Sequence, residues 1–200
     1  MKNIVFDLGG VVLDWNPRKV EANFQGNRAL LRYLLDHDFF QQYWTEFDRG
    51  TYTEKEIIDL MSSLSGFPVE ECRGLVEFVK FSLTDIPETV RLIRQLAEEG
   101  YSLYCLSNMS VEFYEYLKPR EFFHYFKGQI ISGIEKLVKP DMAIYRLLTT
   151  RFGLHPSETL FVDDLEKNVD VAQSMGFHVV HFADREKGYA GIREFIRTGK

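Results

Sequence analysis

Residues 4–14 (IVFDLGGVVLD) decide how the chain folds. Ile4, Val5 and Phe6 form an apolar run without polar alternation, as in a strand that is covered on both faces of a parallel sheet. Asp7 ends this run, and the glycines that follow allow the backbone to turn sharply and to approach a ligand closely. Because open α/β sheets bind ligands at the carboxyl ends of their strands, we expect Asp7 to lie at a binding edge.

Length, composition and charge bound the class of protein. The 200 residues are 45% hydrophobic and 27% charged, which is enough for one core, or for a core with an insertion. The net charge is -6 and no block of basic residues occurs, so we expect no nucleic acid and no membrane as partners. A small soluble ligand fits better, and we expect a monomer or weak dimer.

The cysteines and the first residues bear on the compartment. Cys72 and Cys105 are the only cysteines, and nothing about them requires an oxidising compartment. The chain reaches Asp7 before any apolar run of signal-peptide length, and no later run approaches the roughly 18 apolar residues of a membrane span. We therefore expect a cytoplasmic protein.

Residues 15–84 show helical periodicity and no convincing strand. The apolar stripes predict four amphipathic helices, over residues 29–35, 39–47, 53–65 and 69–81. Thr53 and Glu56 form a capping box at the start of the third helix, and Gly66 ends it. Residues 14–17 predict a turn before the first helix. Four such helices in succession predict a small bundle inserted directly after the first strand.

Beyond residue 84 the pattern changes to alternating helices and strands. Apolar runs predict further strands at residues 101–106, 129–131, 159–162 and 178–182. Pro87 and Pro140 each suit the first position of a helix between these strands. Five strands separated by helices predict an α/β fold with a doubly wound parallel sheet. Its core would comprise residues 1–14 and 85–200, with residues 15–84 as the helical insertion.

Polar residues end three of the predicted strands, where apolar residues would be expected. They are Asp7, Ser107 with Asn108, and Asp163 with Asp164. Because the strands of a parallel sheet end at the same edge, these side chains should converge whatever the loops do. Lys139, at the head of the helix that follows the third strand, can reach the same edge.

These residue types suit phosphoryl transfer through an aspartyl phosphate. The carboxylate of Asp7 repels a phosphate group, so a divalent cation held by Asp7, Asp163 and Asp164 must bring the two together. Oxygen ligands of this kind are those that Mg²⁺ prefers. The sequence therefore predicts a magnesium site formed by the acidic residues.

The remaining polar residues at this edge suit binding of the phosphoryl group. Lys139 would neutralise charge on the phosphoryl oxygens, and Ser107 would donate a hydrogen bond to them. Asn108 is a further candidate for contact with the substrate. Taken alone, Ser107 and Asn108 could be only a turn and a helix N-cap, and Lys139 could be only a solvated lysine. Their convergence with the acidic residues is what indicates a site.

In chain order, four motifs resemble those of the haloacid dehalogenase-like hydrolase superfamily. They are residues 7–10 (DLGG), 106–108 (LSN), 139–140 (KP) and 161–164 (FVDD). The resemblance spans the whole chain and implies a Rossmann-like core. The inserted helices are similar to the small cap domain of the subclass with a four-helix cap. Such a cap opens and closes over the sheet edge and selects the substrate.

The resemblance also implies a role for each matching residue. It implies Asp7 as nucleophile, Ser107 as phosphate ligand, Lys139 as charge neutraliser, Asp164 with Asp163 as Mg²⁺ ligands, and the Gly9 carbonyl as a further metal ligand. Gly9 departs from the family pattern, because phosphatases of the family usually carry there a second Asp that protonates the leaving alcohol and then activates water. Such a group is worth about 10²- to 10⁴-fold in rate.

Several interpretations follow from this departure. The sequence resembles glucose-1-phosphate-type phosphatases, whose first motif begins Asp-Leu-Gly and whose leaving group departs with little help. Asp14 or Asp48 could instead supply the proton. Residues 48–50 form either a loop that contacts the substrate or a plain turn between two cap helices. We therefore predict a Mg²⁺-dependent phosphatase for a small phosphorylated metabolite, a sugar phosphate.

Other functions remain open at this point. A carbon–halogen hydrolase would also lack the second Asp, although halide displacement needs no metal and so leaves the pair Asp163 and Asp164 without a purpose. The site could bind a phosphorylated ligand without turnover, or belong to a phosphotransferase or mutase. A phospho-receiver signalling domain has a similar set of residues, but in such domains the acidic pair lies on the first strand and the phospho-acceptor comes later.

Overall fold

The computed structural model describes residues 3–199 and has a five-stranded parallel sheet at its centre. The strands are β1 (Asn3–Phe6), β2 (Ser102–Ser107), β3 (Gly128–Ile131), β4 (Thr159–Asp163) and β5 (His178–His181). Their order across the sheet is β3-β2-β1-β4-β5, and all neighbouring strands are parallel. The chain fills one side of β1 first and then crosses to the other side. This reversal lies beside the end of β1, where such sheets bind ligands.

Five α-helices lie between β1 and the chain segment at residues 84–86. They are α1 (Pro17–Asn23), α2 (Arg28–Asp36), α3 (Thr45–Asp48), α4 (Glu54–Ser65) and α5 (Val69–Ser82). A π-helical segment, Phe40–Trp44, runs directly into α3. The capping box that was predicted at Thr53 is confirmed, and Gly66 ends α4 with a φ of 74°. Whether residues 15–84 form a separate domain stays a prediction, because their apolar side chains and one sheet face share a continuous core.

Six further helices connect or follow the remaining strands. They are α6 (Pro87–Glu98), α7 (Val111–Leu117), α8 (Ser132–Glu135), α9 (Met142–Phe152), α10 (Glu166–Ser174) and α11 (Arg185–Thr198). Successive strand residues face opposite sides of the sheet. Val5 packs in a cluster with residues of α9, whereas Ile4 and Phe6 pack with residues of α6, α11 and the inserted helices. The predicted doubly wound parallel sheet is therefore confirmed. Within residues 3–199, no helix combines the length and the apolar character that crossing a membrane would require.

Two sequence-based predictions about helix starts are wrong. Residues 14–17 were predicted as a turn, but the Asn16 side chain accepts hydrogen bonds from the next two free N–H groups and starts α1 with Pro17 at its first position. Pro140 was predicted to open a helix, but α9 starts at Met142. Its cap is Asp141, whose carboxylate accepts a hydrogen bond from the Ala143 N–H at 2.8 Å. Lys139 therefore lies in a loop before α9, joined to Pro140 by a cis peptide bond.

The two chain segments that join the inserted helices to the sheet lie side by side. Leu13 and Asp85 form an antiparallel bridge between them. The Asp14 N–H donates to the Thr84 carbonyl at 2.7 Å, and the Ile86 N–H donates to the Val12 carbonyl at 2.8 Å. The inserted helices are therefore attached to the sheet through a short two-stranded ribbon.

Candidate active site

A buried lysine joins two carboxylates at the sheet edge. Lys139 Nζ lies 2.8 Å from Asp7 Oδ1 and 2.7 Å from Asp163 Oδ2, and it donates to the Leu106 carbonyl at 2.9 Å. The ammonium group has three N–H donors, and these three partners match them. Burial lowers the pKa of Lys139, but the charges of Asp163 and Asp7 outweigh this effect and hold the pKa above its ordinary value. Lys139 is therefore a fixed positive charge beside Asp7.

Asp7 follows β1 and continues its pairing, because its N–H donates to the Val162 carbonyl at 2.9 Å. The Leu8 N–H donates to Asp7 Oδ1 at 2.7 Å, so this bond and the contact with Lys139 both use the same oxygen. Neither of these two contacts involves Oδ2. Burial raises the pKa of Asp7 to about 7, although Lys139 opposes the rise. A bound cation would favour the ionised form.

Three carboxylates form a cluster that fits a hard cation. Asp7, Asp163 and Asp164 each offer an oxygen, and these oxygens lie within 4.8 Å of one another. Burial, followed by the charge of Asp163, raises the pKa of Asp164 to about 6. This rise reflects the cost of holding like charges together in a partly buried place. An all-oxygen donor set of this kind suits Mg²⁺.

The two members of the acidic pair have different surroundings. Asp163 is fully buried. Its Oδ1 accepts hydrogen bonds from the Leu165 N–H and from Asn168 Nδ2, both at 2.9 Å, while its Oδ2 contacts Lys139. Asp163 is therefore well suited to orient Lys139. Asn168 lies in the first turn of α10 and donates to Asp163. The sequence analysis did not identify it, because its role depends on a contact between residues five positions apart.

Asp164 depends on a glycine for its position. Gly10 has a φ of 74°, and a Cβ atom placed there would lie 2.5 Å from Asp164 Oδ2. Only a residue without a side chain leaves room for this carboxylate. Asp164 has fewer hydrogen-bond partners among the described residues than Asp163, so it is the member of the pair better placed to bind a cation. The predicted ligand role of the Gly9 carbonyl stays a prediction.

The end of β2 contributes Ser107 and Asn108. Ser107 is buried and pairs with Ile131 across the sheet. Asn108 exchanges two hydrogen bonds with the Lys139 backbone: its Oδ1 accepts from the Lys139 N–H at 2.8 Å, and its Nδ2 donates to the Lys139 carbonyl at 2.9 Å. Asn108 therefore positions the loop that carries Lys139, a role that the sequence did not indicate. Contact of Ser107 or Asn108 with a substrate stays a prediction.

A cavity of about 330 Å³ opens beside Gly9, between the sheet edge and the inserted helices. Trp15 stands next to Gly9, since a Cβ atom placed on this glycine would lie 3.4 Å from Trp15 Cδ1. The indole thus flanks the place where the phosphatases that the chain resembles carry their second carboxylate. If a carboxyl group serves this site as acid, it must come from elsewhere in the chain.

Asp48, at the end of α3, lines the same cavity as Gly9. Burial raises the pKa of Asp48 to about 7, although its carboxylate accepts a hydrogen bond from the Ser110 N–H, which opposes the rise. Ser132 Oγ donates to the Asp48 carbonyl at 2.6 Å, and Lys136 Nζ donates to the Gly50 carbonyl at 2.6 Å. Residues 48–50 are therefore docked on the core beside the site and do not form a free turn.

Asp14, the other candidate for the missing acid, has a different environment. It forms ion pairs with Lys19 Nζ at 2.5 Å and with Arg185 Nη2 at 2.7 Å. The hydrogen bond from Lys19 and the charges of both partners hold the pKa of Asp14 below its ordinary value. Of the described residues that line the cavity, Asp48 is one and Asp14 is not. Of the two candidate acids, the structure therefore places Asp48 at the cavity and Asp14 outside its lining.

The fold, and the cluster of Asp7, Lys139, Asp163 and Asp164 at the sheet edge, agree with the family whose motifs the sequence resembles. The sequence model of the haloacid dehalogenase-like hydrolases matches residues 1–176. The chain belongs to this family of hydrolases, and the predicted family and enzyme class are confirmed.

Proteins that are similar to this chain include phosphatases from Aspergillus oryzae and Bacteroides thetaiotaomicron. A sesquiterpene phosphatase from Aspergillus oryzae is 26% identical over 196 residues, which cover 98% of this chain and 96% of that protein. The D-ribitol-5-phosphate phosphatase of Bacteroides thetaiotaomicron is 28% identical over 191 residues, covering 88% and 89%. A solved structure of a family enzyme from the same bacterium, in complex with magnesium and inorganic phosphate, has a TM-score of 0.76 at 24% identity and covers 90% of this chain and 92% of that one. This last likeness shows the fold.

Proposed function

We propose that the protein is a Mg²⁺-dependent phosphatase that hydrolyses a small phosphomonoester through an aspartyl phosphate on Asp7. The observation that carries the proposal is the ammonium of Lys139 held between Asp7 and Asp163, within an acidic cluster that includes Asp164. The sesquiterpene phosphatase and the D-ribitol-5-phosphate phosphatase, each aligned over most of this chain, support the same activity.

The residues of this chain can perform both halves of such a reaction. Mg²⁺ held by Asp7 and Asp164 would offset the repulsion between the carboxylate and the phosphate. Asp7 Oδ2 attacks phosphorus while Lys139 stabilises the charge on the phosphoryl oxygens. The bond from phosphorus to the alcohol oxygen breaks, and the alcohol leaves with a proton. A water molecule then gives up a proton and attacks the aspartyl phosphate, which releases inorganic phosphate and restores Asp7.

We assign the proton transfers to Asp48. It lines the cavity that begins at Gly9, where the phosphatases that the chain resembles have their second carboxylate. The Ser110 N–H orients its carboxyl group, and docking of residues 48–50 on the core fixes the backbone. A pKa of about 7 suits a group that must first donate a proton and then accept one near neutral pH.

The names of these two relatives suggest two kinds of alcohol as the leaving group, a sesquiterpene alcohol and a polyol. The sugar phosphate that was expected from the sequence stays a prediction. A cytoplasmic location and a monomeric or weakly dimeric state also stay predictions.

Release of phosphate from p-nitrophenyl phosphate tests the proposal. We expect release with Mg²⁺, none with EDTA, and a fall to background in Asp7→Asn, which keeps the size of the side chain but removes the nucleophile. Asp170→Asn, which alters an exposed aspartate of α10, is the matched control and should behave as wild type. Mass spectrometry of the acid-quenched reaction should find the phosphoryl group on the peptide that contains Asp7.

Two outcomes would contradict the proposal. Metal-dependent phosphate release that persists in Asp7→Asn would remove Asp7 as nucleophile. Absence of phosphate release from any ester, together with halide release from a 2-haloacid, would favour the carbon–halogen hydrolase that the sequence left open.

A further inference from the structure

The wall of the cavity beside Gly9 is largely apolar. Apolar side chains from five helical segments and from the chain between β1 and α1 form most of it, among them Trp15, Val20, Leu31, Phe40, Trp44 and Phe113. Leu35 also lines the cavity and is 43% exposed, so a ligand could cover more of it. A volume of about 330 Å³ lies within the range of small-molecule sites, which is about 300–1,000 Å³.

Few groups in this wall can form hydrogen bonds with a ligand. Apart from the two indoles, the described lining residues with polar side chains are Glu21, Thr45, Asp48 and Asn108. Asn108 is bonded to the Lys139 backbone, and Asp48 to the Ser110 N–H. Glu21 and Thr45 are exposed. No arginine, lysine, glutamine or histidine occurs among the described residues of the lining, although such side chains commonly bind sugar hydroxyls.

This lining decides between the two kinds of leaving group. A sugar hydroxyl that gives up its hydrogen bonds to water and forms none with the protein lowers the affinity by about 5- to 150-fold. A sugar carries several such hydroxyls. A methylene group moved from water into an apolar site gains about fourfold. The wall therefore favours a hydrocarbon over a polyol of the same size.

We propose that the cavity holds the hydrocarbon part of the substrate, which is a phosphomonoester of an apolar alcohol. The inference rests on the proposed function, because the phosphate must lie at Asp7 while the hydrocarbon extends past Gly9 into the cavity. Water adds across the bond from phosphorus to oxygen: the phosphate keeps the hydroxyl group of water, and the apolar alcohol leaves with a proton. The sugar phosphate expected from the sequence does not match this lining.

A series of straight-chain alkyl phosphates, from ethyl to octyl, tests the inference on the Mg²⁺-loaded enzyme. We expect kcat/KM to rise about fourfold for each added methylene until the cavity is filled, and to be lower for glucose and ribitol phosphates than for hexyl phosphate. Acetyl phosphate, whose leaving group is too small to fill the cavity, reports on phosphoryl transfer itself. Binding of alkylphosphonates, which cannot be hydrolysed, should show the same dependence on chain length in Kd.

These measurements separate failure of the inference from failure of the proposed function. Hydrolysis of acetyl phosphate with no dependence on alkyl length would overturn the apolar substrate and leave the phosphatase intact. Tight binding of long alkylphosphonates without hydrolysis of any phosphate would leave the cavity assignment and overturn the phosphatase. A sugar phosphate preferred over all alkyl phosphates would overturn the inference directly.

Two matched leucines provide the variants. Leu35 lines the cavity, whereas Leu64 on α4 is 42% exposed and is not among the lining residues. Leu35→Gln should lower the ratio of octyl to acetyl phosphate hydrolysis by about three- to eightfold, the value for the part of a leucine that a ligand would cover. Leu64→Gln should leave the ratio unchanged. An equal effect of both substitutions, or none in Leu35→Gln, would contradict the assignment.

Discussion

Replacing Asp48 by asparagine should stabilise the protein at alkaline pH and slow the hydrolysis of esters with poor leaving groups. Burial raises the pKa of Asp48 from 3.8 to about 7 in the folded state. Because the folded state holds this proton more tightly than the unfolded state, the carboxyl group costs stability as the pH rises from about 4 to about 7. The amide in Asp48→Asn would have no charge to desolvate and would still accept the hydrogen bond from the Ser110 N–H.

The size of this effect follows from the two pKa values. A difference of about three pH units corresponds to an upper limit of about 4 kcal/mol in the free energy of unfolding at pH 8. Asp48 is only partly buried, so water screens its charge and we expect a gain of about 1–3 kcal/mol in Asp48→Asn. At pH 4 the carboxyl group is protonated in the folded state, and the two proteins should differ by only a few tenths of a kcal/mol.

Urea unfolding at pH 4 and pH 8 measures the difference, with Asp14→Asn as a control of opposite sign. Asp14 has a lowered pKa, so its charge stabilises the folded state above its unfolded pKa, and this contribution is lost as the pH falls through the folded value. Asp14→Asn should therefore be destabilising at pH 8. A gain in Asp48→Asn that is equal at pH 4 and pH 8, or a loss at pH 8, would refute the reasoning about burial.

The same variant tests the proton transfers. Turnover of alkyl phosphates should fall by about 10²- to 10⁴-fold in Asp48→Asn, because their alkoxide leaving groups need a proton. Turnover of p-nitrophenyl phosphate should fall less, because p-nitrophenolate leaves without one. An equal fall for both esters would remove Asp48 as the acid.

Three further changes test the arrangement of the site. Gly10→Ala should place a Cβ 2.5 Å from Asp164 Oδ2, displace that carboxylate and raise the Mg²⁺ concentration for half-maximal activity at least about tenfold. Lys139→Met should abolish turnover and lower the free energy of unfolding by about 3–5 kcal/mol, because two buried carboxylates lose their counter-ion. Asn108→Ala should lower kcat by about 10- to 100-fold, since a misplacement of Lys139 by about 1 Å is enough for such a loss.

Each of these changes has a control or a contrary outcome. Gly66→Ala strains a backbone of the same φ, 74°, with no atom within 4 Å of the new Cβ, and it should not alter Mg²⁺ dependence. An equal change in both glycine variants would attribute the effect to strain. Unfolding of Lys139→Met at the wild-type urea concentration would show that the buried pair adds no stability. Unchanged kcat in Asn108→Ala would remove its positioning role.

The fold was predictable because its central strands are buried on both faces. β1, β2 and β4 are apolar without alternation, and such runs between helices define a doubly wound sheet. Helix starts were less predictable, because asparagine and proline occur both in turns and at helix N-termini. Only Val20 is buried in α1, so no apolar stripe distinguished a helix from a turn there.

The site was predictable where it depends on strand ends and not where it depends on packing. Asp7 and Asp163 converge because both end strands that are neighbours in the sheet. The bonds of Asn108 to Lys139 connect residues 31 positions apart, and the sequence shows no pattern for them. Asp48 reaches the cavity because α3 packs on α8, which is a contact that no local periodicity indicates.

The paired ribbon between residues 12–14 and 84–86 has a consequence for how such enzymes diversify. The two connecting segments are hydrogen-bonded to each other, so the ends of the inserted segment lie side by side. Helices of another length or composition could be spliced into the same place. Asp7 and Lys139 would keep their positions while the surface that selects the leaving group is exchanged, and the new helices would have to supply the proton donor that we propose for Asp48.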